Sequence, residues 1–188
     1  EKGGRVARRG YSSETFVGGL SHQGRQGLFA MILNQPMPED KTLTGRKSWF
    51  FTDEQVLCLG SDIFCDEAQV PTQTTLCQKA LQTNEGGGFF STLVDGADFT
   101  AFPEMRTLDE ANPHWFLDVQ HTGYYLPEGQ RVRVARLHHE SRDSWDQEDT
   151  EGDFLWSWID HGKAPKGASY EYMLVVRATP DTMQRVAA

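Results

Sequence analysis

Asp160-His161, followed by Tyr170 and Tyr172, sets an acid, an imidazole and two phenols within a strand, a turn and a second strand. A histidine held by a carboxylate close to a phenol is a group able to take and return a proton near neutral pH. The competing reading is architectural. Residues two apart on a strand share a face, so Tyr170, Tyr172, Leu174 and Val176 form one row, which reads as core, with His161 capping a turn. Trp156 and Trp158 also share a face. They make either a stacking platform for sugar rings or part of a buried β-core, and the second is the plainer reading. Arg46-Lys47, just ahead of Ser48-Trp49-Phe50-Phe51, offers a cation for a substrate carboxylate or sulfate, or else a solvated strand edge.

Other chemistry-bearing residues are less promising. His138-His139-Glu140, with His114 and His121 upstream, fits no metal-ligand pattern, because adjacent residues on a strand point to opposite faces. The run Gly86-Gly87-Gly88 lacks the strand-to-helix context of a phosphate loop. Ser12, Ser13 and Ser21 sit in no nucleophile context. Cys58, Cys65 and Cys77 are odd in number, have no ligand spacing and read as buried thiols. A Cys58–Cys65 bridge across a turn has no support. The binding candidates are therefore Trp158, His161 and Arg46. No catalytic residue, metal ligand or cofactor is expected within the chain.

These side chains must be positioned by strands. The sequence predicts strands over Thr15 to Leu20, Gly27 to Asn34, Thr44 to Thr52, Gln55 to Gly60, Val70 to Gln78, Trp115 to Gln120, Thr122 to Leu126, Arg131 to His138, Phe154 to Ile159 and Tyr170 to Ala178. Gly27 to Asn34 is apolar at nearly every position and is expected to be buried on both faces. In Arg131 to His138 the alternation slips at Ala135, as a β-bulge would cause. Glu1 to Tyr11 reads as a Gly/Arg-rich arm, Gln35 to Asp40 as a connection, Glu85 to Gly88 as a turn and Ser141 to Gly152 as an acidic loop. Thr179-Pro180 opens a helix, with Thr179 as N-cap and Pro180 at the first position. The expected fold is all-β, a multi-stranded antiparallel β-sandwich with a short helix near the C-terminus, in a single domain spanning residues 1–188.

At 188 residues the chain is long enough to bury a core without disulfide or metal staples. No apolar run approaches the ~20 residues of a membrane-spanning helix. A net charge of −9 argues against nucleic acid as a partner and mildly against any polyanion. Neither end reads as a natural terminus: the chain has no initiator Met and no signal peptide and stops just inside a helix, as a segment of a longer polypeptide would.

Three separated segments resemble the bacterial polysaccharide lyases of family eight, which include hyaluronate, chondroitin AC, chondroitin ABC and xanthan lyases. The first is Thr15-Phe16-Val17-Gly18-Gly19 with Gly27-Leu28-Phe29-Ala30-Met31. The second runs from Leu43-Thr44-Gly45-Arg46-Lys47-Ser48-Trp49-Phe50-Phe51 into Leu57-Cys58-Leu59-Gly60-Ser61-Asp62-Ile63 and Thr74-Thr75-Leu76-Cys77-Gln78. The third starts at Thr150-Glu151-Gly152-Asp153-Phe154, passes through Trp158-Ile159-Asp160-His161 and ends at Tyr170-Glu171-Tyr172-Met173 and Ala178-Thr179-Pro180. It is most similar to the chondroitin ABC lyases.

The resemblance implies a place in the middle of the family's supersandwich, a galactose-mutarotase-like β domain that follows an α/α toroid. It implies a secreted or periplasmic parent that cleaves acidic, uronate-containing polysaccharides by β-elimination. It implies that the toroid and the remaining β domain are this segment's partners, with neither nucleic acid nor membrane involved. The family's catalytic residues lie mainly on the toroid and upstream, and none is carried onto a position here. The isolated segment is expected to be inactive. The alternatives are a non-catalytic carbohydrate-binding module built on Trp156, Trp158 or Trp49, and a purely structural sandwich.

Overall fold

The computed structural model describes residues 12–36, 41–142 and 148–188. The expected arm over residues 1–11, part of the 35–40 connection and the centre of the acidic loop lie outside the described residues.

Among the described residues, thirteen strands and one helix follow in order: β1 (Val17–His22), β2 (Gln26–Pro36), β3 (Thr42–Phe51), β4 (Gln55–Cys65), β5 (Pro71–Ala80), β6 (Thr92–Val94), β7 (Ala97–Phe99), β8 (Glu104–Thr107), β9 (His114–Leu117), β10 (Thr122–Leu126), β11 (Val132–Arg142), β12 (Asp149–Lys163), β13 (Lys166–Val176) and α1 (Pro180–Ala187). They form a nine-stranded sheet in the order β1-β2-β3-β4-β13-β10-β9-β6-β7 and a four-stranded sheet in the order β5-β12-β11-β8. All strand pairings are antiparallel. The all-β sandwich expected from the turn spacing is the fold found.

Period-two alternation decides which side chains fill the space between the sheets. Cys58 on β4 and Tyr170 and Tyr172 on β13 face Val132 and Val134 on β11 and Leu155 and Ile159 on β12 in one buried cluster. Phe116 and Tyr124 stack within it, with centroids 4.2 Å apart and planes 9° apart. Burying each such side chain contributes about 1.5–3 kcal/mol. A second cluster lies on the opposite face of the large sheet. There Trp115, Leu117 and Val175 pack against Ala178 and Met183, so α1 covers that part of the face. The helix starts as expected, with the Thr182 backbone N–H donating to the Thr179 hydroxyl at 3.2 Å and Pro180 at its first position.

Several expectations are corrected. The short strands β6, β7 and β8 are additional to those expected, and β4 and β12 run well beyond Gly60 and Ile159. The acidic loop is shorter than expected, because Ser141 and Arg142 close β11 while Asp149 to Gly152 open β12. The Trp115 to Gln120 strand ends at Leu117, where Asp118 begins a turn. β2 is not buried on both faces. It lies one strand from the edge of the large sheet, and its apolar side chains are half-exposed or, at Phe29, exposed.

There is also no bulge at Ala135. β11 pairs with β12 and β8 without a register shift. The alternation only looks broken because Arg136 takes an inward position. It is fully buried and donates Nη1–H bonds to the carbonyls of Phe90 and Phe99 at 2.9 and 2.8 Å. Shifts occur instead on the other edge of β12, against β5, between Ser157 and Trp158 and between Asp160 and Lys163.

Candidate functional site

Strand register builds a row of side chains across the inner face of the large sheet. Met31 pairs with Lys47, Lys47 with Gly60, and Gly60 with Tyr170. The Tyr170 ring fills the space that a Cβ on Gly60 would need, so only glycine lets it lie there. The neighbouring row holds Phe29, Trp49, Cys58 and Tyr172. Phe29 and Trp49 are in ring contact at 5.4 Å. From the other sheet, β12 brings His161 to 6.1 Å from the Tyr170 ring, with its Nε2 at 2.8 Å from the Thr74 hydroxyl. Beyond this point β1 to β3 overhang the small sheet, leaving Val17, Phe29 and Phe51 exposed on the same inner face.

The electrostatics of this corner follow from partial burial. Burial lowers the pKa of Lys47. It also lowers that of His161; the Lys47 charge acts in the same direction and Asp160 opposes it. Burial raises the Tyr170 phenol to about 12, with Cys58 adding to the shift. At neutral pH the imidazole is therefore neutral and the phenol protonated. They serve as hydrogen-bonding groups rather than as an acid/base pair. Lys47 is a partly desolvated cation that no carboxylate among the described residues pairs with. That arrangement complements an anion, with an aromatic face beside it.

The Asp160–His161 acid/base pair that the sequence left open is not assembled. The two residues are consecutive on β12 and face opposite ways. Asp160 accepts the Gly162 N–H at 2.9 Å and lies 3.4 Å from the Arg133 guanidinium. Of the three binding candidates, only His161 reaches the inner corner. Trp158 lies on the outer face of the small sheet, stacked on Trp156 at 4.1 Å, while His139 meets Trp156 edge-on at 5.0 Å. Trp158 is only 4% exposed, so it offers no open platform. Arg46 projects from the outer face of the large sheet and pairs with Asp62 at 2.9 Å. Lys47, its neighbour, is the cation that shares a face with Trp49. The two-residue spacing from Lys47 to Trp49 is the sequence signal that distinguishes them.

Arg46 also lines a trough of about 890 Å³ on that outer face, between Ile32, Leu59 and the β10–β11 turn. Glu128 and Glu171 stand in its wall. Its charged lining is mixed, Arg46 and Lys47 standing against Glu128 and Glu171, so it presents no net positive field to a polyanion. The inner corner, whose cation has no carboxylate partner among the described residues, suits one better.

Comparison with known proteins gives a consistent result. The family model for polysaccharide lyase family 8, super-sandwich domain, matches residues 3–187. A chondroitin sulfate ABC endolyase of Proteus vulgaris is 32% identical over 176 residues, covering 92% of this chain and 17% of the relative. A chondroitin sulfate ABC exolyase of Bacteroides thetaiotaomicron is 34% identical over 177 residues, covering 94% and 16%. The chain thus spans about a sixth of the length of these curated relatives. Among solved structures, a Paenibacillus xanthan lyase superposes with a TM-score of 0.74 at 27% identity, over 91% of this chain and 17% of the other. A Streptomyces coelicolor A3 chondroitin AC lyase in complex with chondroitin sulphate superposes with a TM-score of 0.63 at 26% identity, over 91% and 20%.

Proposed function

The chain belongs to polysaccharide lyase family 8, within its super-sandwich domain, and from that premise we propose that it forms one rim of the substrate cleft of a glycosaminoglycan lyase. The substrates are uronate-containing polymers such as chondroitin sulfate and hyaluronan, and the reaction is β-elimination. A base removes the proton at C5, the C4–O4 bond breaks as C4=C5 forms, and an acid returns a proton to the leaving O4. The developing charge beside the uronate carboxylate needs neutralising. The groups for these steps belong to the rest of the parent, the α/α toroid and the remaining β domain. The parent is secreted or periplasmic, where its polymeric substrate is met.

The observation that carries this reading is the partly buried Lys47, which no carboxylate among the described residues pairs with, on the same face as Trp49 and beside the exposed overhang of β1 to β3. A desolvated ammonium pairs strongly with a carboxylate or sulfate, and an indole face packs on a pyranose ring. His161 and Tyr170 stand in the same corner as hydrogen-bonding groups. The exposed apolar residues of the opposite face, among them Leu20, Phe50 and Leu57, are where the remaining β domain packs.

The test is kinetic. In the longer lyase that carries this chain, Lys47→Met is expected to raise KM for chondroitin sulfate about tenfold with kcat nearly unchanged, as loss of uniform binding does. An equal fall in kcat and kcat/KM would place Lys47 in the chemistry instead and overturn the rim role.

A further inference from the structure

β11 and β12 continue as a two-stranded ribbon past the small sheet. β8 pairs with β11 only as far as Arg136, and β5 pairs with β12 only from Phe154 onward. Outside those limits, among the described residues, His138 to Arg142 and Asp149 to Gly152 pair only with one another, while the Asp153 carbonyl still accepts the Leu81 N–H at 2.8 Å. An isolated ribbon of this kind is marginally stable in water.

One face of the ribbon carries four ligand-type side chains. His138 and Glu140 are two apart on β11. Asp153 stands directly opposite His138 and Glu151 directly opposite Glu140. Like charges directly opposite one another on paired strands are destabilising. Among the described residues no cationic side chain is paired with Glu140. One imidazole nitrogen of His138 and one carboxylate oxygen each from Glu140 and Glu151 lie within 4.8 Å of one another.

The histidine is also oriented. Its Nδ1 is 2.8 Å from Asp153 Oδ1, and its Nε2 is 3.5 Å from Glu151 Oε2. With Nδ1–H donated to Asp153, the Nε2 lone pair points toward the two glutamates. A carboxylate behind a histidine in this way is how metal-binding imidazoles are commonly held. The 3.5 Å separation is also that of two ligands sharing one ion, since metal–ligand bonds near 2.1 Å place neighbouring ligands about 3–4 Å apart.

We propose that His138, Glu140 and Glu151 bind one divalent transition-metal ion of the zinc type, with Asp153 orienting His138, and that the ion clips β11 to β12. One imidazole and two carboxylates suit such an ion better than calcium or magnesium, which take all-oxygen shells. Water completes the coordination, because all three ligands are exposed. The site is remote from the Lys47 corner and does not depend on the polysaccharide reading.

The experiment is calorimetric titration of the 188-residue chain with Zn²⁺, repeated with Co²⁺ while the visible spectrum is followed. A single saturable site is expected. The double variant E140Q/E151Q should lose it, and Asp153→Asn should keep the stoichiometry but weaken binding about tenfold. Thermal unfolding separates this from a folding defect. The metal-free double variant should be at least as stable as the metal-free unsubstituted chain, since it relieves a like-charge pair. Zn²⁺ should raise Tm only where both glutamates are present. Absence of saturable binding, undiminished binding by the double variant, displacement of Zn²⁺ by an equal concentration of Ca²⁺, or a destabilised metal-free double variant would each overturn the proposal.

Discussion

Tyr170 lies over Gly60, its ring in the space a Cβ would claim, and this one contact seats the aromatic row of β13 against β4. Neither partner can give way easily, because Tyr170 is 5% exposed and is held between the sheets. Gly60→Ala therefore overpacks the core. We expect a loss of about 1–3 kcal/mol, read as a lower urea midpoint at unchanged slope.

A second contact ties the two sheets together. Lys79 on β5 reaches Asp118 at the end of β9, with Nζ 2.5 Å from Oδ2 and 3.0 Å from the Thr122 hydroxyl. The Asp118 side chain is only 3% exposed, and its Oδ1 accepts the backbone N–H groups of Gln120 and Thr122. Removing the lysine strands a buried carboxylate. Lys79→Met is expected to destabilise the chain by roughly 3 kcal/mol or more, measured by chemical denaturation at neutral pH.

His161 gives a pH dependence of definite sign. Its folded pKa lies below its unfolded value, burial being the main cause, opposed by Asp160 and aided by Lys47. Between the two values the unfolded chain binds more protons, so this histidine's contribution is full above the ordinary imidazole range and is lost as pH falls below it. The difference in stability between the unsubstituted chain and His161→Gln should therefore shrink as the pH is lowered from 7.5 toward 5, as followed by urea midpoints. A difference that grows on acidification would mean the imidazole is held in its charged form.

The thiols should be inert. Cys58, Cys65 and Cys77 are all buried, and burial pushes Cys77 up to about 12 and Cys58 upward as well. In the native chain an alkylating reagent at pH 8 should label none of them within the time that labels all three in denaturant, as read by mass spectrometry.

How much of this was legible in sequence depends on range. The cap at Thr179-Pro180 and the row from Tyr170 to Leu174 are local patterns found as expected, but Val176, the expected last member of that row, is exposed where the strand leaves the core. β6 and β7 are three residues long, too short for a period-two pattern to emerge from loop sequence. Arg136 misled because a buried guanidinium, its Nη1 donating to two carbonyls, looks in sequence like a polar outward position. The Lys47 corner was legible only in part: Arg46-Lys47 offers a cation in sequence, but the groups around it do not show. Lys47 and Tyr170 meet through β4, while His161 arrives from the other sheet, and no local spacing encodes that meeting. The ribbon cluster fails the same way: His138-His139-Glu140 is no ligand set by itself, but the cross-strand partner Glu151 makes it one.

The central claim is that this chain supplies a rim of a lyase cleft and not its chemistry. The most direct measurement is ultraviolet absorbance of the unsaturated uronate formed on chondroitin sulfate and hyaluronan. The purified 188-residue chain is expected to give no increase, while a longer protein carrying the same residues gives a steady one. A sustained increase from the 188-residue chain by itself would contradict the claim and place catalytic groups among the residues described here.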